Sequence, residues 1–594
     1  MSLLFKVVEF LDDFKAEMVI SILLLFLLRK IFSYFSSRPN IPGPFPWPVI
    51  GNALSLGDKP QQSMQAMAKK YGNIYLMKLG NVDVIVLNSY KVIRDALQRQ
   101  GRVFSGRPQF NSFRQISQGR GIVFNSELSL GQKWTDMKRV VIKLLHRFTS
   151  KSETRGLLCR HVRTETLHLV KELCGKSKEE NAAENIIQVG VANLVCAMMF
   201  GHRYEYSNKE FQDLVSLNRE FGKVIGSGSQ IDVMPWIKVI PKFANVVKTF
   251  DFLNNRTNNW MIARSKEHRQ TYVHGVVRDV VDTYIAESID NPKVNMTEED
   301  VIALTTDVFG AGQDTLSTII QWIFLYLIYF TDHQQKIKDE LDRTLRGRRL
   351  PTIDDRHNFP FTEAVLHEIF RHSSFTPSTI PHSTTEPTTL GQYHIPENSI
   401  IFVNQYAANR DDGAWENADD FDPYRFLNSD GSLVHKPHER YLSFSTGIRK
   451  CPGDEISRLL LMHFMATFFS VAELEPDSDH PPELEGVYNL SMRPKQLKFT
   501  AKIRHPQVYA NAFSHLEKVA VPVRENPTLN LDKTQNGESK ANNKPTYKLG
   551  LESEFSDNDF EALEKVHRAV RRRKNGKMPL DDINGNEIYK LYIK

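Results

Sequence analysis

The stretch FSTGIRKCPG, residues 444–453, decides the fold of this 594-residue chain. It sets Cys451 among two glycines, an arginine, a lysine and a proline, with Phe444 seven residues before it. A cysteine that is buried for packing alone needs no such neighbours. A thiolate that binds a metal does need them, because surrounding donors must stabilise its charge. The stretch therefore indicates a cysteine that acts as a metal ligand.

The backbone around Cys451 suits an anion. Gly447 permits a tight turn with positive φ, which can aim backbone N–H groups at the sulfur. Pro452 fits the first turn of a following helix, and residues 453–469 read as that helix. The dipole at its N-terminus favours negative charge on Cys451.

Three further side chains in the stretch suit a flat, anionic cofactor. Gly453 lets the following helix approach such a group closely, and Phe444 can shield the sulfur from water. Arg449 presents a planar fork that matches a carboxylate such as a haem propionate. The stretch thus predicts a cysteine-thiolate haem site, with Cys451 as the axial ligand of the iron. Such ligation pushes electron density toward O–O cleavage.

The stretch matches every fixed position of the haem signature F-x-x-G-x-R-x-C-x-G, and the chain therefore resembles the cytochrome P450 family. The resemblance implies a mainly α fold with a smaller β-rich lobe. It also implies haem b (iron protoporphyrin IX) as cofactor and NADPH-derived electrons delivered through a reductase. The long 3.6-period apolar segments and the few short strand-like runs, at 73–88 and 399–405, agree with that fold.

The apolar run 301–330 contains AGQDT, residues 311–315. Gly310 and Gly312 each cost about 1 kcal/mol in mid-helix relative to alanine, so they need a reason. Ala311 and Thr315 lie one turn apart and share a face, where a small residue leaves room for substrate and a hydroxyl can bond dioxygen. The resemblance implies that Thr315 and Asp314 are the catalytic alcohol–acid pair, which delivers protons.

The run HEIFR places Glu368 and Arg371 three residues apart, and FDPYRF follows about fifty residues later. Alone, the first pair is an ordinary helical ion pair. The resemblance implies a buried triad of Glu368, Arg371 and Arg425 that supports the haem pocket. Tyr424 departs from the family, in which many members carry glutamate.

The resemblance also implies donors for the two haem propionates. The family usually has arginine four residues after the tryptophan of this set, where this chain has lysine. The expected donors are Trp134, Lys138, His382 and Arg449.

The same predicted helix carries Lys133, Arg139 and Lys143. A basic face beside the cysteine side of the haem suits an acidic flavoprotein, NADPH-cytochrome P450 reductase, with cytochrome b5 as a further electron donor. An ordinary solvated face is the alternative interpretation.

Residues 221–228, 307–315 and 370–385 resemble the first family of animal P450s, the aryl hydrocarbon hydroxylases. Members oxidise flat aromatic compounds, oestrogens and polyunsaturated fatty acids. Gln313 and Arg219 depart from some relatives. The pocket positions that the resemblance implies are mostly apolar: Ile116, Val123, Phe124, Phe221, Asp307, Phe309, Gly310, Ala311, Thr376, Ile380, Leu490 and Ser491.

The predicted function is therefore a haem-thiolate monooxygenase that inserts one atom of O2 into a hydrophobic substrate, flat aromatic, steroid or fatty acid. Three alternatives stay open. They are a steroid-specific hydroxylase resembling the animal 17-hydroxylases, a P450-fold isomerase or dehydratase, and a non-catalytic haem sensor or lipid carrier. The second usually lacks the acid–alcohol pair that this chain keeps.

The N-terminal segment 1–37 is predicted to be a membrane anchor. Its apolar run, residues 18–28, is shorter than the roughly 20 residues of a spanning helix, but snorkelling of Arg29 and Lys30 extends it. Acidic residues precede the run and basic ones follow it, which places the catalytic domain on the cytosolic side of the endoplasmic reticulum membrane. An amphipathic helix lying on the surface is the alternative.

Composition sets the other boundaries. Five prolines in 38–52 favour a stiff, extended strap, and 53–505 is the predicted catalytic domain. Residues 506–594 are polar and are predicted to be a disordered tail with one helix near 556–574. A net charge of +6 argues against nucleic-acid binding, and four widely spaced cysteines form no disulfide framework.

Overall fold

A computed structural model describes residues 40–125, 131–150, 152–176, 182–225, 230–518 and 523–524, with isolated positions between 18 and 29. The predicted anchor, apart from those positions, and the predicted helix near 556–574 lie outside the described residues. The chain from 40 to 52 contains no helix, and Trp47 forms a single bridge with Gly51.

Helices dominate the described chain, which confirms the predicted fold class. The α-helices are α1 Pro60–Tyr71, α2 Tyr90–Arg94, α3 Asn111–Gln115, α4 Gln132–Ser150, α5 Ser152–Lys176, α6 Ala182–Phe200, α7 Lys209–Ile225, α8 Gln230–Val233, α9 Pro241–Thr271, α10 Val280–Asp290, α11 Glu298–Tyr329, α12 Thr331–Leu345, α13 Pro360–Ser373, α14 Gln405–Ala408, α15 Asp454–Val471 and α16 Pro506–Lys518.

In the described chain, the strands are short and lie in five small sheets. They are β1 Ile74–Leu79, β2 Val82–Leu87, β3 Arg203–Tyr204, β4 His382–Ser383, β5 Thr388–Leu390, β6 Tyr393–Ile395, β7 Ile400–Val403, β8 Ala472–Pro476, β9 Gly486–Val487, β10 Arg493–Pro494, β11 Phe499–Ile503 and β12 Val523–Arg524. The largest sheet has the order β1-β2-β7-β4, and its β1–β2 hairpin turns through Gly80 and Asn81.

The long helix α11 forms the centre of the molecule. It begins at a capping box in which Thr297 and Asp300 bond each other's backbone N–H groups, and three acidic residues in its first turn complement the helix dipole. Most of its apolar side chains are buried against α6, α13 and α15 in one continuous core. A rigid central helix therefore carries the predicted oxygen-binding residues.

One described helix, α6, contains an apolar window long enough to cross a membrane, Ala183–Phe200. Its residues are 83% buried inside the protein. Because it packs against α5 and α11, α6 is a core helix of the folded body.

The packed structure continues beyond residue 505, where the tail was predicted to begin. Helix α16 lies against α5: the Phe513 ring is 5.2 Å from the His168 ring, and the Lys171 amine lies 5.1 Å from the Phe513 ring centroid. Strand β12 then pairs in parallel with β3. The first part of the predicted tail is therefore ordered, because Phe513 and its neighbours bury apolar surface on α5.

Candidate active site

The loop around Cys451 is held by its own backbone and by one close approach. The Cys451 N–H donates to the Phe444 carbonyl at 3.0 Å, and the Lys450 N–H donates to the Gly447 carbonyl at 3.1 Å. Gly447 has φ of +75°, and a Cβ there would lie 1.7 Å from the carbonyl oxygen of Leu97. Glycine is therefore required at 447 both by conformation and by space.

Cys451 faces an internal space. Cys451 has accessible surface, but many protein atoms surround it. Burial among these atoms raises the pKa of its thiol to about 11. The backbone N–H of Gly453 opposes this rise, as do Lys138 and Lys450 to a smaller extent. These groups do not outweigh burial, so the thiolate would need a bound cation to stabilise its charge.

Three cations gather on one side of that space: Arg107 is buried, and Lys138 and Arg449 are half-buried. Burial lowers the pKa of Lys138 to about 8 and that of Arg449 to about 10, and it holds the pKa of Arg107 well below its usual value. Arg449 further lowers the pKa of both other cations by repulsion. Since no carboxylate is among the groups that perturb these three pKa values, the cluster would gain from a bound dianion.

Two of the predicted propionate donors, Lys138 and Arg449, belong to this cluster, and Trp134 lies beside it. Backbone carbonyls accept the hydrogen bonds that these side chains donate. The Trp134 indole donates to Ile122 at 3.1 Å, and the Lys138 amine donates to Lys450 at 3.2 Å. Arg449 stacks on Trp134, with its guanidinium carbon 4.3 Å from the ring centroid.

His382 and Arg107 complete the group. His382 is buried, its Nδ1 lies 2.8 Å from the Phe104 carbonyl oxygen, and burial holds its pKa well below the usual value. Arg107 donates to the carbonyls of Ile380 and Pro381. The sequence motifs gave no signal for Arg107, because only the fold brings it beside Arg449.

These residues fit haem. The thiol can bind the iron, the three cations can face the two propionates, and Gly453 leaves room for a flat group. A Cβ at Gly453 would meet nothing closer than Ser457 Oγ at 3.5 Å, an ordinary contact, so the protein alone does not demand glycine there. A flat cofactor bound beside the start of α15 would provide a reason for glycine at this position.

The face of α11 that carries Ala311 and Thr315 is also partly open. Ala311 is exposed although the rest of the helix around it is largely buried. The Thr315 hydroxyl, one turn on, donates to the Ala311 carbonyl at 2.8 Å and keeps its lone pairs available. The small residue and the hydroxyl therefore share one open face.

Asp314 is engaged elsewhere. Its carboxylate accepts a hydrogen bond from Ser491 at 2.6 Å and pairs with Arg493 at 2.7 Å. Gly222 of α7 lies on the same side, since a Cβ there would be 3.5 Å from Asp314 Oδ1. In this structure the acid of the predicted pair therefore points toward α7 and β10, and delivery of a proton from it requires that the ion pair open.

Four aromatic and aliphatic side chains form a roof over the pocket. Phe221 of α7 stacks on Phe250 of α9 with ring centroids 5.7 Å apart, and Ile116 and Phe124 pack against them. Three of these were predicted pocket residues. Phe250 was missed, because nothing in its helical context distinguishes it from a core residue.

Apart from Ala311 and Asp307, the other predicted pocket residues divide into two groups. Phe309 and Ser491 are buried away from open space: Phe309 packs 5.6 Å from Trp260, and Ser491 bonds Asp314. Their place in the pocket lining stays a prediction. The half-buried positions are Val123, Gly310, Thr376, Ile380 and Leu490.

Asp307 ties the roof to α11. Its carboxylate accepts from the Ser117 hydroxyl at 2.9 Å and from the Val123 N–H at 3.0 Å. Burial raises its pKa to about 6, and these hydrogen bonds only partly oppose the rise. The buried Asp307 side chain thus holds the loop that follows α3 against α11.

The structure brings the predicted triad together. Glu368 accepts two hydrogen bonds from Arg371, both at 2.7 Å, and one from Arg425 at 3.1 Å. Arg371 and Glu368 are fully buried, and Arg371 also donates to the carbonyls of Asn409, Ala418 and Asp420. The triad cross-links α13 to the loop before Cys451.

The basic face of α4 is less free than its sequence indicates. Lys133 pairs with Asp300 at 2.6 Å, Lys143 pairs with Glu287 at 2.7 Å, and Arg139 pairs with Asp136 on its own helix. The cationic ends nevertheless stay on the surface, with side-chain exposures of 44%, 74% and 67%.

Comparison with known proteins agrees with this geometry. The sequence model of the cytochrome P450 family matches residues 41–501. Cytochrome P450 1B1 of Rattus norvegicus is 36% identical over 477 residues, which cover 78% of this chain and 87% of that protein. The Homo sapiens protein of the same name is 35% identical over 490 residues, 80% and 89% of the two chains. Cytochrome P450 1A1 of Chelon auratus is 34% identical over 500 residues, which cover 82% of this chain and 95% of that protein.

The cofactor of this family is haem, to which NADPH-derived electrons pass through a reductase. The matched range contains Cys451, the cation cluster and the open face of α11. The chain therefore belongs to the cytochrome P450 family, groups with its family 1 members, and is a haem-dependent monooxygenase of hydrophobic substrates.

Proposed function

We propose that this P450 oxygenates a flat, largely apolar ring that stacks under the Phe221–Phe250 pair. The stacked pair carries the proposal, because two parallel rings backed by Ile116 and Phe124 offer a planar surface and little polarity. Fatty acids and non-aromatic steroids, which the resemblance also implies as substrates, have no aromatic ring to stack on this pair.

Haem, when bound through Cys451, supplies the activation of dioxygen. The residues of this chain do the rest. The Arg107, Lys138 and Arg449 cluster orients the cofactor by its propionates, and the roof excludes water above the ring. The Thr315 hydroxyl holds a proton one helical turn from the space beside Ala311.

Asp314 supplies that proton from the far side of α11. Its ion pair with Arg493 stabilises the carboxylate, so a proton reaches Thr315 only when water or a solvent-derived proton enters the pair.

The cellular setting is part of the same proposal. The segment 1–37 anchors the chain in the endoplasmic reticulum membrane with the catalytic domain in the cytosol. NADPH-cytochrome P450 reductase, and cytochrome b5 beside it, approach the exposed ends of Lys133, Arg139 and Lys143. In this proposal the membrane anchor ends at residue 37, and the proline-rich strap that joins it to the catalytic domain ends at residue 52.

The first experiment is the carbon-monoxide difference spectrum of the reduced protein. The parent should give the long-wavelength Soret band of a thiolate-ligated haem, and Cys451→His should lose it while still holding haem. Cys174→Ser is the matched control, because Cys174 lies half-buried on α5 and should leave the band intact. A parent that holds haem without the band would refute thiolate ligation and favour a sensor or carrier.

The proton-delivery roles need a separate assay. Thr315→Ala should preserve the spectrum but divert NADPH-derived electrons to peroxide, measured as peroxide formed per NADPH consumed. A fully coupled Thr315→Ala enzyme would refute the role of the hydroxyl. Turnover of flat aromatic probes against a steroid of similar size then tests the substrate class.

A further inference from the structure

Four charged side chains form a row that runs from α11 to the roof helix α7. Asp314 of α11 pairs with Arg493 of β10, with Oδ1 and Nη2 2.7 Å apart. Nη1 of Arg493 lies 3.6 Å from Oε1 of Glu184 on α6, and the same oxygen lies 3.9 Å from Nη1 of Arg219 on α7. Negative and positive charges therefore alternate along the row, which is neutral overall.

The inner end of the row is crowded, and its exposure increases outward. The Ser491 hydroxyl donates to the second carboxylate oxygen of Asp314 at 2.6 Å. On the α7 side, a Cβ at Gly222 would lie 3.5 Å from Asp314 Oδ1. The side chains of Asp314 and Arg493 are 10% exposed, whereas that of Glu184 is 27% exposed. Glu184 is thus the carboxylate of the row that faces solvent.

The Arg493 guanidinium has an unused donor. Its Nη2 atom donates to Asp314, but among the described residues its buried Nη1 atom has no hydrogen-bond partner. Glu184 Oε1, at 3.6 Å, is the nearby anion but lies beyond hydrogen-bond distance. A buried donor without a partner costs free energy, so a small approach of Glu184 toward Arg493 is favoured.

Glu184 can make this approach because neither arginine holds it by a hydrogen bond at these distances. Its Oε1 accepts instead from the Gln188 amide at 2.9 Å, one turn along α6. Arg219 donates to Asn185 at 3.3 Å, so its guanidinium is shared between that residue and Glu184. Glu184 therefore lies between two cations that compete for it.

We propose that Glu184 is a positioning residue for proton delivery, and that it holds Arg493 while Asp314 is free of its ion pair. This rests on the proposed function, in which Asp314 is the acid of the proton-delivery pair. When Arg493 moves onto Glu184, the Asp314 carboxylate loses its cation and takes up a proton from solvent water. Once that proton has passed toward Thr315, the carboxylate is charged again and recovers Arg493, so the row returns to its starting charges.

The second carboxylate makes the opening of the ion pair affordable in free energy. Without it, the departure from Asp314 would leave the Arg493 charge buried and unpaired, which is strongly unfavourable. With Glu184 in place, Arg493 exchanges one ion pair for another. Because Glu184 is partly exposed, its charge should change the population of the open state by about fivefold and not by orders of magnitude.

Glu184→Gln tests the exchange, because it removes the charge and keeps an oxygen that can accept from Gln188. The haem-loaded full chain is assayed with reductase, NADPH and 2-methoxynaphthalene as a flat aromatic probe. The readout is the partition ratio: NADPH consumed without peroxide, divided by NADPH that yields peroxide. It is measured in H2O and in D2O. The control is Glu210→Gln, the same change at an exposed position of α7.

Glu184→Gln should lower the partition ratio about fivefold and make it more sensitive to D2O, because proton delivery becomes slower. Arg219→Gln should raise the ratio, because Glu184 loses the cation that competes with Arg493. Glu210→Gln should behave as the parent. A substitution that only loosened the fold would lower the haem content without a larger effect of D2O.

A Glu184→Gln enzyme that partitions as the parent would overturn the proposal, as would an Arg219→Gln enzyme that lowers the ratio. Thr315→Ala in the same assay separates this failure from failure of the proposed function. If Thr315→Ala forms more peroxide and Glu184→Gln does not, only the role of Glu184 is wrong. If neither variant forms more peroxide, proton delivery through Asp314 and Thr315 is wrong as well. If only Glu184→Gln does, Glu184 acts by another route and the exchange is rejected.

Discussion

Replacement of Asp307 by asparagine should make the stability of the protein less dependent on pH. Asp307 is buried on α11 and its neighbours are hydrogen-bond donors, not cations. Burial raises its pKa from the usual 3.8 to about 6. Asparagine can keep both contacts, since its oxygen can accept from the Val123 N–H and its amide can donate to the Ser117 hydroxyl.

The sign follows from the raised pKa. Between about pH 4 and 6 the folded protein binds a proton at Asp307 that the unfolded chain has released, so the free energy of unfolding falls as pH rises through this window. A rise from 3.8 to about 6 corresponds to about 3 kcal/mol at 1.36 kcal/mol per pKa unit. The stability advantage of Asp307→Asn over the parent should therefore be larger by about 2 kcal/mol at pH 7 than at pH 4.5.

Urea unfolding of the haem-loaded full chain at the two pH values, followed by tryptophan fluorescence, measures this difference. Asp300→Asn on the same helix is the matched control. Lys133 and the capping box lower the pKa of Asp300 against the effect of burial, so its stabilising charge is lost only below the usual carboxyl pKa of 3.8, and this variant should lose about the same stability at pH 7 and at pH 4.5. If the stability advantage of Asp307→Asn is equal at both pH values, the conclusion that burial raises the pKa of Asp307 is wrong.

Three further changes have definite expected outcomes. Gly447→Ala should cost about 2 kcal/mol or more and lower haem retention, measured by the haem absorbance per protein, because φ is positive and the added methyl meets a carbonyl oxygen. Arg371→Met should cost about 3–5 kcal/mol in urea unfolding, since it leaves the Glu368 charge buried without its main partner. Phe513→Ala should cost about 1–2 kcal/mol, while the exposed His515→Ala should stay within about 0.5 kcal/mol of the parent.

Local constraints are what the sequence reveals best. The turn at Gly447, the helix after Cys451 and the shared face of Ala311 and Thr315 each involve residues within a few positions of one another, so their spacing carries the information. The strands in 73–88 and 399–405 were likewise predicted from local patterning, and the structure confirms them.

Contacts between distant segments were predicted least well. Arg107 joins the cation cluster, and Phe250 joins the roof, only because the fold brings separate elements together. The ion pair that turns Asp314 toward Arg493 depends on a strand about 180 residues away. A single sequence gives the chemical type of such residues but not their neighbours.

The C-terminal segment that pairs with β3 has a consequence for biosynthesis. Strand β3 leads into α7, the helix that carries Phe221, and it is made early by the ribosome. Its partner β12 lies more than 300 residues later in the chain. One edge of β3 therefore stays unpaired until synthesis has passed residue 524, and the nascent protein needs its last elements before the approach to the roof is complete.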